Sequence, residues 1–265
     1  MHRASSGLIF FFIFFIMLCF LQPGPSLSAE EGKAGIQDMV DMAGSQRMLT
    51  QRMLRDYALV GLKVTYRNPA QDLVDTVARF DKQLQQLSAY SVNADVTASL
   101  AAVQKTWVPA KELVSKAPRQ ESALLLKGDL EELLKKSNDA TILLAQASGT
   151  QLGEVVNKSG RQRMLSQRMA ALYMLYSWDV QGEGFFDQFR TVVDEYKSAQ
   201  NYLFLSDKTT PEIRKKLKEA AKSFRWFDKA VSKKAKKLTP EVVQRNSDII
   251  LKVMNEATKL YTASK

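Results

Sequence analysis

One segment of the chain occurs twice. Ala43-Gly44-Ser45-Gln46-Arg47-Met48-Leu49-Thr50-Gln51-Arg52-Met53 returns as Ser159-Gly160-Arg161-Gln162-Arg163-Met164-Leu165-Ser166-Gln167-Arg168-Met169, eight of eleven positions identical at an offset of 116. The same offset pairs Phe80 with Tyr196 and Leu87 with Leu203, and an offset of 119 pairs Trp107 with Trp226. A repeat of this length means that one supersecondary unit has been built twice, so whatever fold the first half adopts the second should adopt too.

That unit reads as helical. Asn68-Pro69, Thr210-Pro211 and Thr239-Pro240 each set a capping residue before a proline suited to a first helical position. Between the breaks, apolar residues recur at steps of three and four, and no segment keeps a period of two for long. The breaks predict helices near 36–66, 69–90, 94–116 and 119–147, then 150–181, 185–206, 211–237 and 240–263, with Pro109 kinking the third. The fold class is all-α: two tandem up-down four-helix bundles, eight helices in all. The bundles would stack end to end if the fourth helix ran straight into the fifth, but Gly149 and Gly153 favour a turn, which would set them side by side as a pseudo-dimer.

Residues 1–29 read as a signal peptide. Arg3 supplies a positive start, Leu8 to Leu21 is an unbroken apolar run of 14 residues, and Pro23-Gly24-Pro25 precedes the small residues Ser26 to Ala29. Fourteen residues fall short of the ~20 a membrane-spanning helix needs. The expected organisation is 1–29 as leader, 30–148 as first module and 149–265 as second. The expected location is periplasmic, with an uncleaved leader acting as a membrane anchor as the alternative.

His2 and Cys19 are the sole His and Cys and both fall in that leader. Beyond it disulfides, thiolate or histidine catalysis, zinc–histidine sites and haem attachment are excluded, and no acidic cluster has calcium-loop spacing. No cofactor, no metal and no enzymatic activity are expected. Met48, Met53, Met164 and Met169 read as core filler. Nucleic acid is not an expected partner, because no groove-reading motif is present. The net charge of +10 is concentrated between Lys215 and Lys237, a run that reads either as a solvated helix face or as a surface for anionic lipid headgroups or an acidic partner. Trp107 and Trp226 are expected to anchor the two cores, and Tyr173, Tyr176 and Trp178 to form either core or a partner surface.

The first helix carries a seam at steps of four and three, Ile36, Val40, Ala43, Arg47, Thr50, Leu54, Tyr57, Gly61, Val64, repeated as Leu152, Val156, Ser159, Arg163, Ser166, Ala170, Tyr173, Ser177, Val180. In both, an arginine stands where an apolar residue belongs. Guanidinium is always charged, and burying it unpaired costs several kcal/mol. Two of them roughly 6 Å apart at an effective dielectric of ~20 would add about 3 kcal/mol of repulsion. The seam therefore calls for negative charge. Either a small anion accepts forked hydrogen bonds from Arg47 and Arg163, with Gly44 and Gly160 allowing close approach and Gln46, Gln162, Gln51 and Gln167 as second contacts, or an internal carboxylate such as Glu131, Glu132 or Asp139 neutralises Arg47. Arg52 and Arg168 leave the seam and read as surface or salt-bridge residues.

The duplicated box resembles the first-helix box of the NarX/PilJ-like N-terminal sensor domains. These are periplasmic four-helix modules of nitrate/nitrite sensor kinases and of type IV pilus methyl-accepting chemotaxis transducers. The likeness covers each repeat and is sharpest over eleven to sixteen residues. It implies that Arg47 and Arg163, with Gly44 and Gly160, bind an anion at a dimer-like interface. Gln46-Arg47-Met48-Leu49 and Gln162-Arg163-Met164-Leu165 resemble the pilus-transducer version more than the nitrate-sensor version, which leaves the ligand open between nitrate or nitrite and a carboxylate. With no signalling helix, kinase or methyl-accepting region after the last helix, such a sensor is expected to relay to a membrane-bound signalling or pilus-associated protein. The competing expectation is a structural or interaction module whose arginines are internally paired.

Overall fold

A computed structural model describes residues 29–90, 92–149, 153–232 and 239–263. Its eight helices are α1 (Ala29–Gly61), α2 (Pro69–Ala89), α3 (Ala94–Val114), α4 (Gln120–Ser148), α5 (Gly153–Ser177), α6 (Phe185–Leu205), α7 (Pro211–Ser232) and α8 (Pro240–Ala263), with no strand among the described residues. The expected order holds. The expected leader, apart from Ala29, and the expected last turn of the seventh helix lie outside the described residues.

The ends follow from local chemistry. Asn68 sits at φ 50° and accepts from the Gln71 N–H, with Pro69 opening α2. Asn93 accepts from the Val96 N–H at 2.9 Å to start α3, and Thr210 caps α7 in the same way. Gly149 closes α4 at φ 64°, the left-handed conformation for which glycine pays no steric penalty. The first helix ends at Gly61 rather than near 66, because Lys63, Arg67 and Asn68 all take positive φ and turn the chain into α2. α3 runs through Pro109 to Val114.

In each copy the four helices pack in a ring, α1–α2–α3–α4 and α5–α6–α7–α8, and α1 lies along α5. The bundles are therefore side by side, joined through their box helices. A glycine is required in this seam: a Cβ on Gly61 would collide with the Trp178 ring. Tyr173 and Tyr176 also belong to the core, as do Met48, Met53, Met164 and Met169.

The aromatic pairs expose the true register of the repeat. Phe80 packs against Trp107 with centroids 4.4 Å apart and ring planes tilted by 41°, and Tyr196 stacks on Phe224 at the same centroid distance. Phe224, not Trp226, is thus the counterpart of Trp107, at an offset of 117. Trp107 is 1% exposed and donates its indole N–H to Asp81, whereas Trp226 is 45% exposed. The expectation that Trp226 anchors the second core is overturned: it lies two residues beyond the core position Phe224, which puts it on the outer face of α7.

Candidate functional site

The seam between α1 and α5 brings Arg47 and Arg163 together, both buried. A methyl group built on Gly160 would lie 3.2 Å from Arg163 Nη2 and 3.7 Å from Arg47 Nη2; one built on Gly44 would lie 3.4 Å from Arg47 Nη2 and 4.0 Å from Arg163 Nη2. The two glycines thus floor one space that both guanidinium groups enter. One turn further along, Thr50 and Ser166 turn their hydroxyls back to the carbonyls of Arg47 and Arg163 and remain in the seam without competing for the arginines.

Each guanidinium has one side-chain partner in its own copy and one in the other. Arg47 Nη1 donates to Asn138 Oδ1 at 2.9 Å and Nη2 to Asn157 Oδ1 at 3.1 Å. Arg163 Nη1 donates to Asn255 Oδ1 at 3.2 Å and Nη2 to Asp41 Oδ1 at 2.8 Å. Three amides and one carboxylate thus surround two cations, leaving the constellation with one net positive charge. The Nε–H of both arginines is buried with no acceptor among the described residues. Burial, then the repulsion of Arg163 and Arg161, lowers the Arg47 guanidinium from its ordinary range to about 10, with Asp41 partly offsetting. An open groove of about 470 Å³ between α4 and α5 reaches Arg47 and Asn138 from outside.

The structure does not bring the four glutamines to the arginines. Gln46 and Gln162 donate instead to the carbonyls of Phe80 and Tyr196, tying each box helix to the neighbouring helix of its own bundle. Gln51 donates to Thr50, while Gln167 donates to the Ser247 carbonyl and accepts from Arg55. On a helix, residues next to the arginine in sequence point about 100° away from it. The internal carboxylates considered for Arg47 do not serve it either: Glu131 pairs with Arg168 at 2.6 Å. Arg52 faces Asp56 and Asp72, so both outer arginines of the boxes are salt-bridge residues.

Asn138, Asn157, Asn255 and Asp41 escaped the sequence reading. A signal did exist, since Asp41 and Asn157 stand at the repeat offset of 116 and Asn138 and Asn255 at 117.

Deeper in the same seam is a network that has no counterpart in the repeat. Arg55, fully buried, donates to Asp56, to Asp248 at 2.6 Å and to Gln167 at 2.7 Å, linking α1 to α5 and α8. Burial alone would lower this guanidinium, but Asp56 and Asp248 more than offset it and hold it above its ordinary range. The equivalent position in the second copy is Ala171.

No group of His, Cys, Asp and Glu among the described residues could hold a metal ion, and no described helix is long and apolar enough to cross a membrane. Two four-helix bundles joined through arginine-bearing box helices define a tandem helical-bundle protein. The family comparison makes this specific: residues 33–133 and 142–263 each match the type IV pili methyl-accepting chemotaxis transducer N-terminal domain, PilJ, and the chain belongs to that family as a tandem pair. The family is one of non-enzymatic sensory domains, typically periplasmic, working within chemotaxis and pilus signalling. No curated protein and no solved structure matches the chain.

Proposed function

We propose that the protein is an exported sensor that binds a small monovalent anion, a nitrate- or nitrite-type oxyanion or a carboxylate, between Arg47 and Arg163. One observation carries the reading: two buried guanidinium groups share a space floored by Gly44 and Gly160 and, among the described residues, each keeps an unmet Nε–H and a single carboxylate stands against two charges. A bound monoanion would restore neutrality where burial and mutual repulsion now disfavour Arg47. Because the site lies on the α1–α5 seam, a ligand preferring one spacing of those helices would shift the relation of the two bundles by its differential affinity. The state would then be relayed to a membrane-bound signalling or pilus-associated partner. Cleavage of the leader near Ala29 and division into modules 30–148 and 149–265 complete this reading.

The competing reading, an interaction module with satisfied arginines, is supported by the two side-chain acceptors each arginine already has. Thermal denaturation and calorimetry with nitrate, nitrite, acetate and sulfate against a chloride control separate the two. The sensor reading requires saturable stabilisation by at least one anion, lost in Arg47→Gln and in Arg163→Gln. Equal behaviour in all salts would leave the interaction module as the better account.

A further inference from the structure

The duplication supplies an internal control for the surface. α3 and α7 hold equivalent places in their bundles, with Leu100 and Leu217, and Trp107 and Phe224, buried at an offset of 117. Their outer faces differ. On α3 the exposed charged residues are Asp95, Lys105, Lys111 and Glu112, two of each sign, with Lys111 paired to Asp81 and Glu112 to Lys116. On α7 the exposed charged residues are four basic, Lys215, Lys218, Lys222 and Arg225 in a stripe at steps of three, four and three, against two acidic, Glu212 and Glu219. The stripe extends over roughly 15 Å of one helix face. None of the four forms an ion pair among the described residues.

Beside the end of that stripe stands Trp226, 45% exposed, forming with Glu219, Lys222, Arg245 and Ile249 part of an open groove between α7 and α8. The first copy has Pro109, Gly128 and Glu132 at the positions of Trp226, Arg245 and Ile249. The bundle therefore folds without the tryptophan, the added arginine or the isoleucine, and core packing does not account for them.

We propose that the outer face of α7 docks on an anionic phospholipid bilayer, with Lys215, Lys218, Lys222 and Arg225 over the headgroups and Trp226 at the water–lipid boundary. Three of the four stripe cations are lysines, compact charges on flexible stems suited to a diffuse layer of phosphates rather than to one forked acceptor. Tryptophan, apolar in body with one N–H donor, favours the headgroup level. A cationic helix face with an aromatic at its edge matches what a lipid surface attracts, whereas a specific acidic protein would be met by fixed, hydrogen-bonded arginines. The inference stands independently of the ligand between Arg47 and Arg163.

The test uses the chain from Ala29 onward, which holds all eight helices and the whole described core, so that the apolar run before it does not itself partition. Sedimentation with phosphatidylcholine vesicles, with and without phosphatidylglycerol, should show binding only to the anionic ones, weakening as salt rises. Each basic residue near such a surface contributes about fivefold, so K215Q/K218Q/K222Q/R225Q should bind about a hundredfold more weakly or worse. K215R/K218R/K222R should bind as wild type does, W226A several-fold more weakly, and K105Q on α3 unchanged. Failure of wild type to bind anionic vesicles at low salt overturns the proposal. So does equal binding to neutral vesicles, or undiminished binding by the quadruple glutamine variant. Capture of soluble polyglutamate without vesicle binding, lost in that variant, would assign the face to an acidic polypeptide instead.

Discussion

Asp41 and Asn157 occupy equivalent positions on the two box helices, and each accepts a hydrogen bond from the arginine of the other copy, Asp41 from Arg163 at 2.8 Å and Asn157 from Arg47 at 3.1 Å. The geometry is twofold but the charge is not. That single difference sets the net charge a ligand meets.

Asp41→Asn removes it. The variant should lose about 1 kcal/mol of ligand-free stability, as expected for a half-exposed ion pair. Its preference should move toward divalent anions, with sulfate binding about tenfold tighter, a change of about 1.4 kcal/mol. Calorimetric titration with sulfate and nitrate on both proteins checks the sign.

Arg47→Gln should stabilise the empty protein by about 1–2 kcal/mol, since it removes a buried cation held below its usual protonation range while leaving an amide for Asn138 and Asn157. The pH dependence has a definite sign. Above about 10, where folded Arg47 titrates while the unfolded arginine keeps its proton, the unfolded chain binds more protons, so wild-type stability gains on the variant as pH rises through that window. Urea denaturation of the pair from pH 8 to pH 11 should show the gap narrowing at the alkaline end.

Arg55→Met should act in the opposite direction. It leaves fully buried Asp56 with only Arg52 nearby and strips Gln167 of its donor, a loss of about 3–5 kcal/mol in chemical denaturation. A stability equal to wild type would mean that the network contributes no net free energy.

Gly160→Ala tests the floor of the site. Its methyl group would stand 3.2 Å from Arg163 Nη2, the mobile end of a side chain, and alanine favours a helix by up to about 1 kcal/mol. Stability should hold or rise while anion affinity falls about tenfold or more, a dissociation that thermal shift with and without ligand reads directly.

The two tryptophans provide a contrast in denaturation experiments. Trp107→Ala, losing the ring contact with Phe80 and the bond to Asp81, should cost about 3–5 kcal/mol. Trp226→Ala, at a partly covered outer-face residue, should cost clearly less, about 1 kcal/mol.

Much of the fold was readable because helix breaks carry their own chemistry: Asn68-Pro69, Thr210-Pro211 and Gly149 mark ends in any context. The pairing of Arg47 with Arg163 was readable because seam spacing fixes which residues share a helix face. Their partners were not. Asn138 and Asn255 come from helices whose rotation about their own axes is set by packing, and no single-helix pattern reports that angle. The glutamines misled for the same reason in reverse: closeness in sequence to Arg47 said nothing of Gln46 facing the Phe80 carbonyl. Trp226 was misassigned because two tryptophans looked like a pair, while the aromatic contact that matters had changed from Trp107 to Phe224.

Placing both box helices on one polypeptide has a consequence for how such a site can evolve. In a homodimer every substitution arrives twice, so a lone carboxylate facing two guanidinium groups could never arise. Here the halves are separately encoded and cannot drift apart on dilution, which frees Asp41, Arg55 and the surface of α7 to diverge one at a time.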